Sequence, residues 1–187
     1  MTPVAAKTTA SARLGFRWVV IGLIALATVI NYIDRNALAV MWPEISKEIS
    51  ASKEDYAGLV TVFMIFYALG QSLFGRLFDR VGARVGFTLS ILVWSVAIAL
   101  HAVARSVAVF AVFRALLGVS EAGAWPGAAK ANAEWFPARE RALAQGVFNA
   151  GASLGAIVSA PLIALLFVAV GWKATFLLIG ALGALWP

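Results

Sequence analysis

Residues 56–105 read YAGLVTVFMIFYALGQSLFGRLFDRVGARVGFTLSILVWSVAIALHAVAR. Charges cut this stretch into two apolar blocks, 56–75 between Asp55 and Arg76, and 85–104 between Arg84 and Arg105. Each block holds 20 residues without Asp, Glu, Lys or Arg. A helix of about 20 residues crosses the roughly 30 Å hydrocarbon core of a bilayer. Two such blocks joined by a short basic connection read as two membrane-spanning helices. The whole chain agrees: 62% of residues are hydrophobic and 13% charged, with mean hydropathy +0.90. A soluble domain is near half apolar and a quarter charged.

Further spans follow on both sides. Span one covers 18–41 and is interrupted by Asp34 and Arg35; span four covers 107–129 and contains Arg114 and Glu121. Span five (142–168) lies in an uncharged stretch of 31 residues, 142–172. Span six (173–187) has 14 residues after Lys173, too few to cross, so it reads as incomplete and the C-terminus as a truncation. The predicted fold is an all-α membrane protein, a six-helix bundle behind a tail at 1–17 that is polar, small and basic. The tail lacks a short apolar core with a cleavage site, so the first apolar run is a retained helix.

Composition also excludes classes of function. The chain has no cysteine and one histidine, His101, which leaves no expected metal site. The basic residues are scattered between apolar runs without a patch, which argues against nucleic-acid binding despite the net charge of +6. No nucleophile–base pair is visible, so an enzyme is not expected.

Lys and Arg placement sets the predicted orientation. The tail (Lys7, Arg13, Arg17) and the loops after spans two and four (Arg76, Arg80, Arg84; Lys130, Arg139, Arg141) hold nine; the opposite side holds Lys47, Lys53, Arg105 and Lys173. The richer side is cytoplasmic by the positive-inside rule, which puts the N-terminus inside the cell. Trp18, Trp42, Trp135 and Trp172 fall near span ends, where aromatic rings prefer the headgroup level. Gly151 and Gly155, with Gly118, Gly123 and Gly127, supply small residues for close helix packing. Pro126 and Pro161 are candidates for bends.

Asp34, Arg35, Arg114 and Glu121 lie inside spans, where each charge costs about 2.5–3.5 kcal/mol on insertion scales. Two acids and two bases can offset one another, and such groups mark solute or proton pathways. Arg114 and Glu121 are seven residues apart and share a helix face, roughly 10 Å apart along the axis. Asp34 and Arg35 diverge by about 100°. Comparable depths predict an Asp34–Arg114 pair, with Arg35 and Glu121 facing a shared cavity. Arg35 is the candidate for an anionic ligand, because a guanidinium binds a carboxylate bidentately. Asn31, Tyr32, Tyr67, Gln71 and the stripe Gln145, Asn149, Ser153 can line that cavity; interhelical hydrogen bonding is an equal reading for each.

The connection Gly75-Arg-Leu-Phe-Asp79-Arg80-Val-Gly82-Ala-Arg84 resembles the hallmark loop of the major facilitator superfamily. Asn31-Tyr-Ile-Asp34-Arg35, Arg114-Ala-Leu-Leu-Gly118-Val-Ser-Glu121, and Trp135-Phe-Pro137-Ala-Arg-Glu140-Arg141 resemble its anion:cation symporters, whose bacterial members take up hexuronates and galactonate. The resemblance implies the N-terminal half of that fold, a 3+3 inverted repeat in the cell's inner (plasma) membrane. It also implies a second half, beyond this chain, as partner. The ending glycine-proline-x-x-glycine-glycine of drug antiporters is absent from span five, which has Ser159-Ala-Pro161 instead.

By that resemblance, Glu121 takes a coupling proton and Asp34 and Arg114 form a pair that breaks and reforms with protonation. Arg35 binds the carboxylate of a small organic anion; Tyr32, Tyr67 and Asn149 contact the rest of it. Gly75, Asp79, Arg80, Gly82 and Arg84 form a conformational gate. No cofactor is implied besides the proton. The expected activity is proton-coupled symport of a sugar acid. Alternatives are a transporter of aromatic carboxylates or organophosphates, or a non-transporting scaffold or channel subunit.

Overall fold

The computed structural model describes the backbone of residues 4–186 and the side chains of residues 15–186. The tail charges Lys7 and Arg13 and the terminal Pro187 lie outside the described side chains. Five α-helices appear in order: α1 (Val4–Glu48), α2 (Lys53–Leu100), α3 (Val107–Glu121), α4 (Ala124–Trp135) and α5 (Arg141–Ala184). No strand occurs among the described residues, as expected where each backbone polar group must be satisfied within its own segment.

α2 and α5 each contain two spans. The break in α2 is at Gly82 (φ 79°, ψ 168°) and the break in α5 at Gly171 (φ 78°, ψ 167°). Only glycine adopts that geometry without strain. Each follows a valine, and the near-identical dihedrals between spans two and three and between five and six fit a 3+3 repeat. The other reversals use side-chain caps. Between α1 and α2, the Asp55 backbone N–H donates to Ser52 Oγ (3.0 Å) and the Ser52 N–H donates to Asp55 Oδ2 (2.8 Å), a capping box. Ser106 starts α3 by accepting from the Val109 N–H.

Span four differs from its sequence reading. It reaches Trp135 instead of residue 129, and it is offset at Ala122–Gly123 between α3 and α4. The offset comes directly after Glu121, and Pro126 then falls in the first turn of α4, where a missing N–H leaves no hydrogen bond unmade. Pro161 lies inside α5.

α1 packs mainly on α5, and α2 packs on α3. Small residues set both seams. A Cβ at Gly118 would meet the Phe63 carbonyl oxygen at 2.5 Å, and one at Gly151 would meet that of Ala25 at 2.5 Å. Hydrogen replaces a methyl at both points, so backbones approach closely. The first contact brings Phe63 and Tyr67 beside the charges of spans one and four. The two ends of the bundle are clasped: Arg17 pairs with Glu140 (2.6 Å), while Glu48 accepts from Trp172 Nε1 (2.8 Å) and Lys173 Nζ (2.5 Å).

Candidate functional site

Arg35 stands on the only partly open face of the charged cluster. Its Nε and Nη2 donate to Glu121 Oε2 at 3.3 and 3.2 Å, and Nη2 also reaches Asn31 Oδ1 at 3.4 Å. Three aromatic rings hold the guanidinium, with centroids 4.8 Å (Tyr67), 5.2 Å (Phe63) and 5.4 Å (Tyr32) from Cζ. Such stacking restrains a side chain that would otherwise sample many rotamers. The Arg35 side chain is 24% exposed while that of Glu121 is fully buried, so the base shields the acid.

This arrangement corrects two expectations. Asp34 and Arg114 form no ion pair; the pair that forms is Arg35–Glu121. Glu121 therefore lies behind Arg35 instead of facing an open space beside it. Asp34 and Arg114 have comparable predicted depths, but depth does not fix which pair closes. The long Arg35 side chain bridges from α1 to the end of α3. The short Asp34 carboxylate, fully buried, stays inside the packed seam, with Glu121 and Arg114 as its electrostatic neighbours. The Arg114 guanidinium carbon lies 5.9 Å from the centroid of the Phe63 ring.

Several buried polar atoms of the cluster have no hydrogen-bond partner in the protein: both Asp34 oxygens, Glu121 Oε1, Arg114 Nε and Nη2, and Asn31 Nδ2. An unsatisfied buried group costs about 1–3 kcal/mol, more when charged. Such a concentration of unmet polarity is unlike a self-sufficient structural bridge, in which each buried polar atom has its partner.

The remaining predicted residues separate into near and far. Tyr32 and Tyr67 touch Arg35. Asn149 does not join the cluster: its Oδ1 accepts from Gln145 Nε2 at 3.3 Å and its carbonyl accepts from Ser153 Oγ at 3.3 Å, all on the exposed side of span five. The loop residues lie at the far end. Gly82 makes the turn, but Gly75 is ordinary helix on an open surface with nothing near its Cβ position. Asp79, 77% exposed, accepts from Lys130 Nζ at 3.1 Å, and Lys130 also lies 3.7 Å from Glu134. Sequence reading missed Lys130 as the partner of Asp79; the four-residue Lys130–Glu134 spacing was its only trace. It also missed Phe63, whose ring lies beside both arginines, with Arg35 Cζ at 5.2 Å and Arg114 Cζ at 5.9 Å from its centroid. A cavity of about 460 Å³ at this end is lined by Phe16, Val20, Arg84, Phe87, Trp135 and Trp186, among others, and includes no residue of the Arg35 cluster.

Fold and site together define a multi-pass membrane protein whose spans enclose a buried ionic cluster at mid-depth. The family model described as Major Facilitator Superfamily matches residues 24–187, and the chain belongs to that superfamily. It is 36% identical over 172 residues to the galacturonate transporter of Dickeya chrysanthemi, covering 92% of this chain and 50% of that protein. It is 35% identical over 172 residues to the hexuronate transporter of Escherichia coli (strain K12), covering 92% and 40%. A probable L-galactonate transporter of the same strain is 34% identical over 161 residues, covering 86% and 36%. The chain thus spans half or less of the length of these relatives. Among solved structures, a bacterial homolog to the human lysosomal transporter Spinster superposes with TM-score 0.77 in an inward-facing, occupied conformation. That match has 25% identity and covers 91% of this chain and 42% of the other.

Proposed function

We propose that the protein is a proton-coupled importer of an organic anion, with sugar acids such as hexuronates or galactonate as the substrate class. The observation that carries this reading is the Arg35–Glu121 pair, with the base half-open and the acid buried behind it. A guanidinium offers donors only, so an incoming carboxylate is its natural partner. That carboxylate and Glu121 compete for the same N–H groups. When Glu121 takes a proton, its hold on Arg35 weakens and the guanidinium is freed for the anion. Asp34 and Arg114 adjoin this exchange and complete its charge balance.

Proton and anion then load together with little net charge buried, which favours closure of the site. The relatives' names supply the substrate class, and their greater length supports a second helical bundle as the opposite wall of the site. In this reading the two bundles rock about a site near mid-membrane. The loop from Gly75 to Arg84 gates that motion on the cytoplasmic side of the inner membrane, which also carries the N-terminus. Within this bundle Asp79 rests on Lys130, a contact that must loosen if Asp79 is to grip the other half.

Uptake of labelled D-galacturonate into proteoliposomes by the natural-length protein, with and without an inward proton gradient, tests the reading. Acid-driven accumulation is the expected result. Uptake that ignores the gradient would remove the coupling; no carboxylate uptake under either condition would remove the transport reading altogether.

A further inference from the structure

Among the α1 residues that escape full burial, Gly22, Leu26, Val29, Tyr32, Asn36 and Ala39 fall on one stripe at helical steps of three and four, with Leu23, Ala25, Arg35 and Val40 beside it. The stripe borders span five: Cβ atoms at Gly151 and Gly155 would run into the backbone of Ala25 and Val29, and the latter also into Tyr32 Cβ. One turn further along this seam, Asn36 Nδ2 donates to Ser159 Oγ at 2.8 Å. Ser159 is fully buried and its hydroxyl donates to the Ala156 carbonyl at 3.1 Å.

The Ser159 proton is thereby committed, so its oxygen can only accept from Asn36. That fixes the amide with its NH₂ toward span five and its Oδ1 turned away. Oδ1 makes no hydrogen bond and is not among the buried unpartnered atoms; it is open to a ligand. Packing alone does not call for an amide here, since alanine and valine fill the same seam at residues 25 and 29. Arg35, a pure donor, stacks on Tyr32 of the same stripe with its Cζ 5.4 Å from the ring centroid, whereas Asn36 Oδ1 is a pure acceptor. A donor that takes a carboxylate beside an acceptor that takes an O–H fits a hydroxylated carboxylic acid better than a plain one.

We infer that Asn36 is a specificity-determining residue that accepts a hydrogen bond from a hydroxyl of the transported anion, and that Ser159 is the positioning residue that orients it. The inference rests on the transport reading above. It is tested by measuring inhibition constants of D-galacturonate and of cyclohexanecarboxylate, a ring acid without hydroxyls, against labelled D-galacturonate uptake by the natural-length protein. Asn36→Ala is expected to weaken D-galacturonate about tenfold, the worth of one hydrogen bond, and to leave cyclohexanecarboxylate unchanged. Ser159→Ala is expected to shift the ratio of the two constants the same way by less, and Ser159→Thr, which keeps the hydroxyl, to restore it.

Equal weakening of both acids, or no change in either, overturns the inference while the transport reading stands. Should Asn36→Ala fail to fold, as judged by thermal melting, the Ser159 pair of variants decides by the same ratio. If the unsubstituted protein takes up neither acid, the transport reading fails first and the inference with it.

Discussion

Two buried polar patches of the bundle differ in kind. One is the Arg35–Glu121 cluster between spans one and four. The other surrounds His101, whose ring sits between Phe110, Phe113 and Phe176 with centroids 5.2–5.8 Å away. Both leave atoms unpaired. At the second patch these are neutral: His101 Nε2, Trp94 Nε1 and Ser95 Oγ. His101 Nδ1 meets the Ala97 carbonyl at 2.8 Å, and glycines close the seam beside it, a Cβ at Gly180 falling 2.7 Å from the Ser95 carbonyl oxygen. At the first patch the unpaired atoms belong mostly to carboxylates and guanidinium groups, and one member reaches a partly open face. Neutral unmet groups in tight aromatic packing are a modest structural cost. Ionic unmet groups beside an opening are the costlier arrangement, and the proposed site is built on them.

That contrast can be broken. The largest effect is expected from Glu121→Gln, which keeps the shape of the side chain and removes its titration: acid-driven accumulation of D-galacturonate in proteoliposomes should fall to simple equilibration, while exchange across the membrane persists. Arg35→Lys keeps the charge but loses the planar fork and the stacking on three rings. Loss of a charge-assisted hydrogen bond costs about 1.5–3 kcal/mol, so the affinity for the anion should fall by roughly 10- to 100-fold in a binding titration.

Smaller and purely structural effects are expected from the seams. Gly118→Val drives a side chain into the Phe63 backbone and Gly180→Val into that of Ser95; overpacking costs typically about 1–3 kcal/mol, seen as a lower melting temperature of the purified protein. Only the Gly118 change should also impair anion binding, because Phe63 carries the Arg35 stack. The smallest effect is expected from His101→Phe. It removes an unpaired buried nitrogen together with the Nδ1 contact to the Ala97 carbonyl and keeps an aromatic ring, so melting should move little and uptake not at all. If instead His101→Phe abolished uptake and Glu121→Gln did not, the two patches would have to exchange roles.

Much of this was legible from one-letter code. The apolar blocks at 56–75 and 85–104 located two crossings, and the loop between them carried the family pattern. The four intramembrane charges announced a site because water is absent from the core and each charge is costly there. Less legible was the partner of each charge. Asp34 and Arg35 are neighbours in sequence and equal in depth, and only side-chain reach and helix azimuth chose Arg35 for Glu121. Asn149 lies on the exposed face of span five, and its side-chain hydrogen bond with Gln145 stays within its own helix. Lys130 looked like a flanking base until the fold set it against Asp79.

The sequence by itself located the apolar blocks and the charged residues stranded inside them. Those follow from hydropathy and charge, which are properties of short stretches. Tertiary structure alone decided which acid meets which base, which rings cage Arg35, and which way the Asn36 amide points. Those depend on how helices rotate against one another, and rotation is set by glycine contacts between segments distant in the chain.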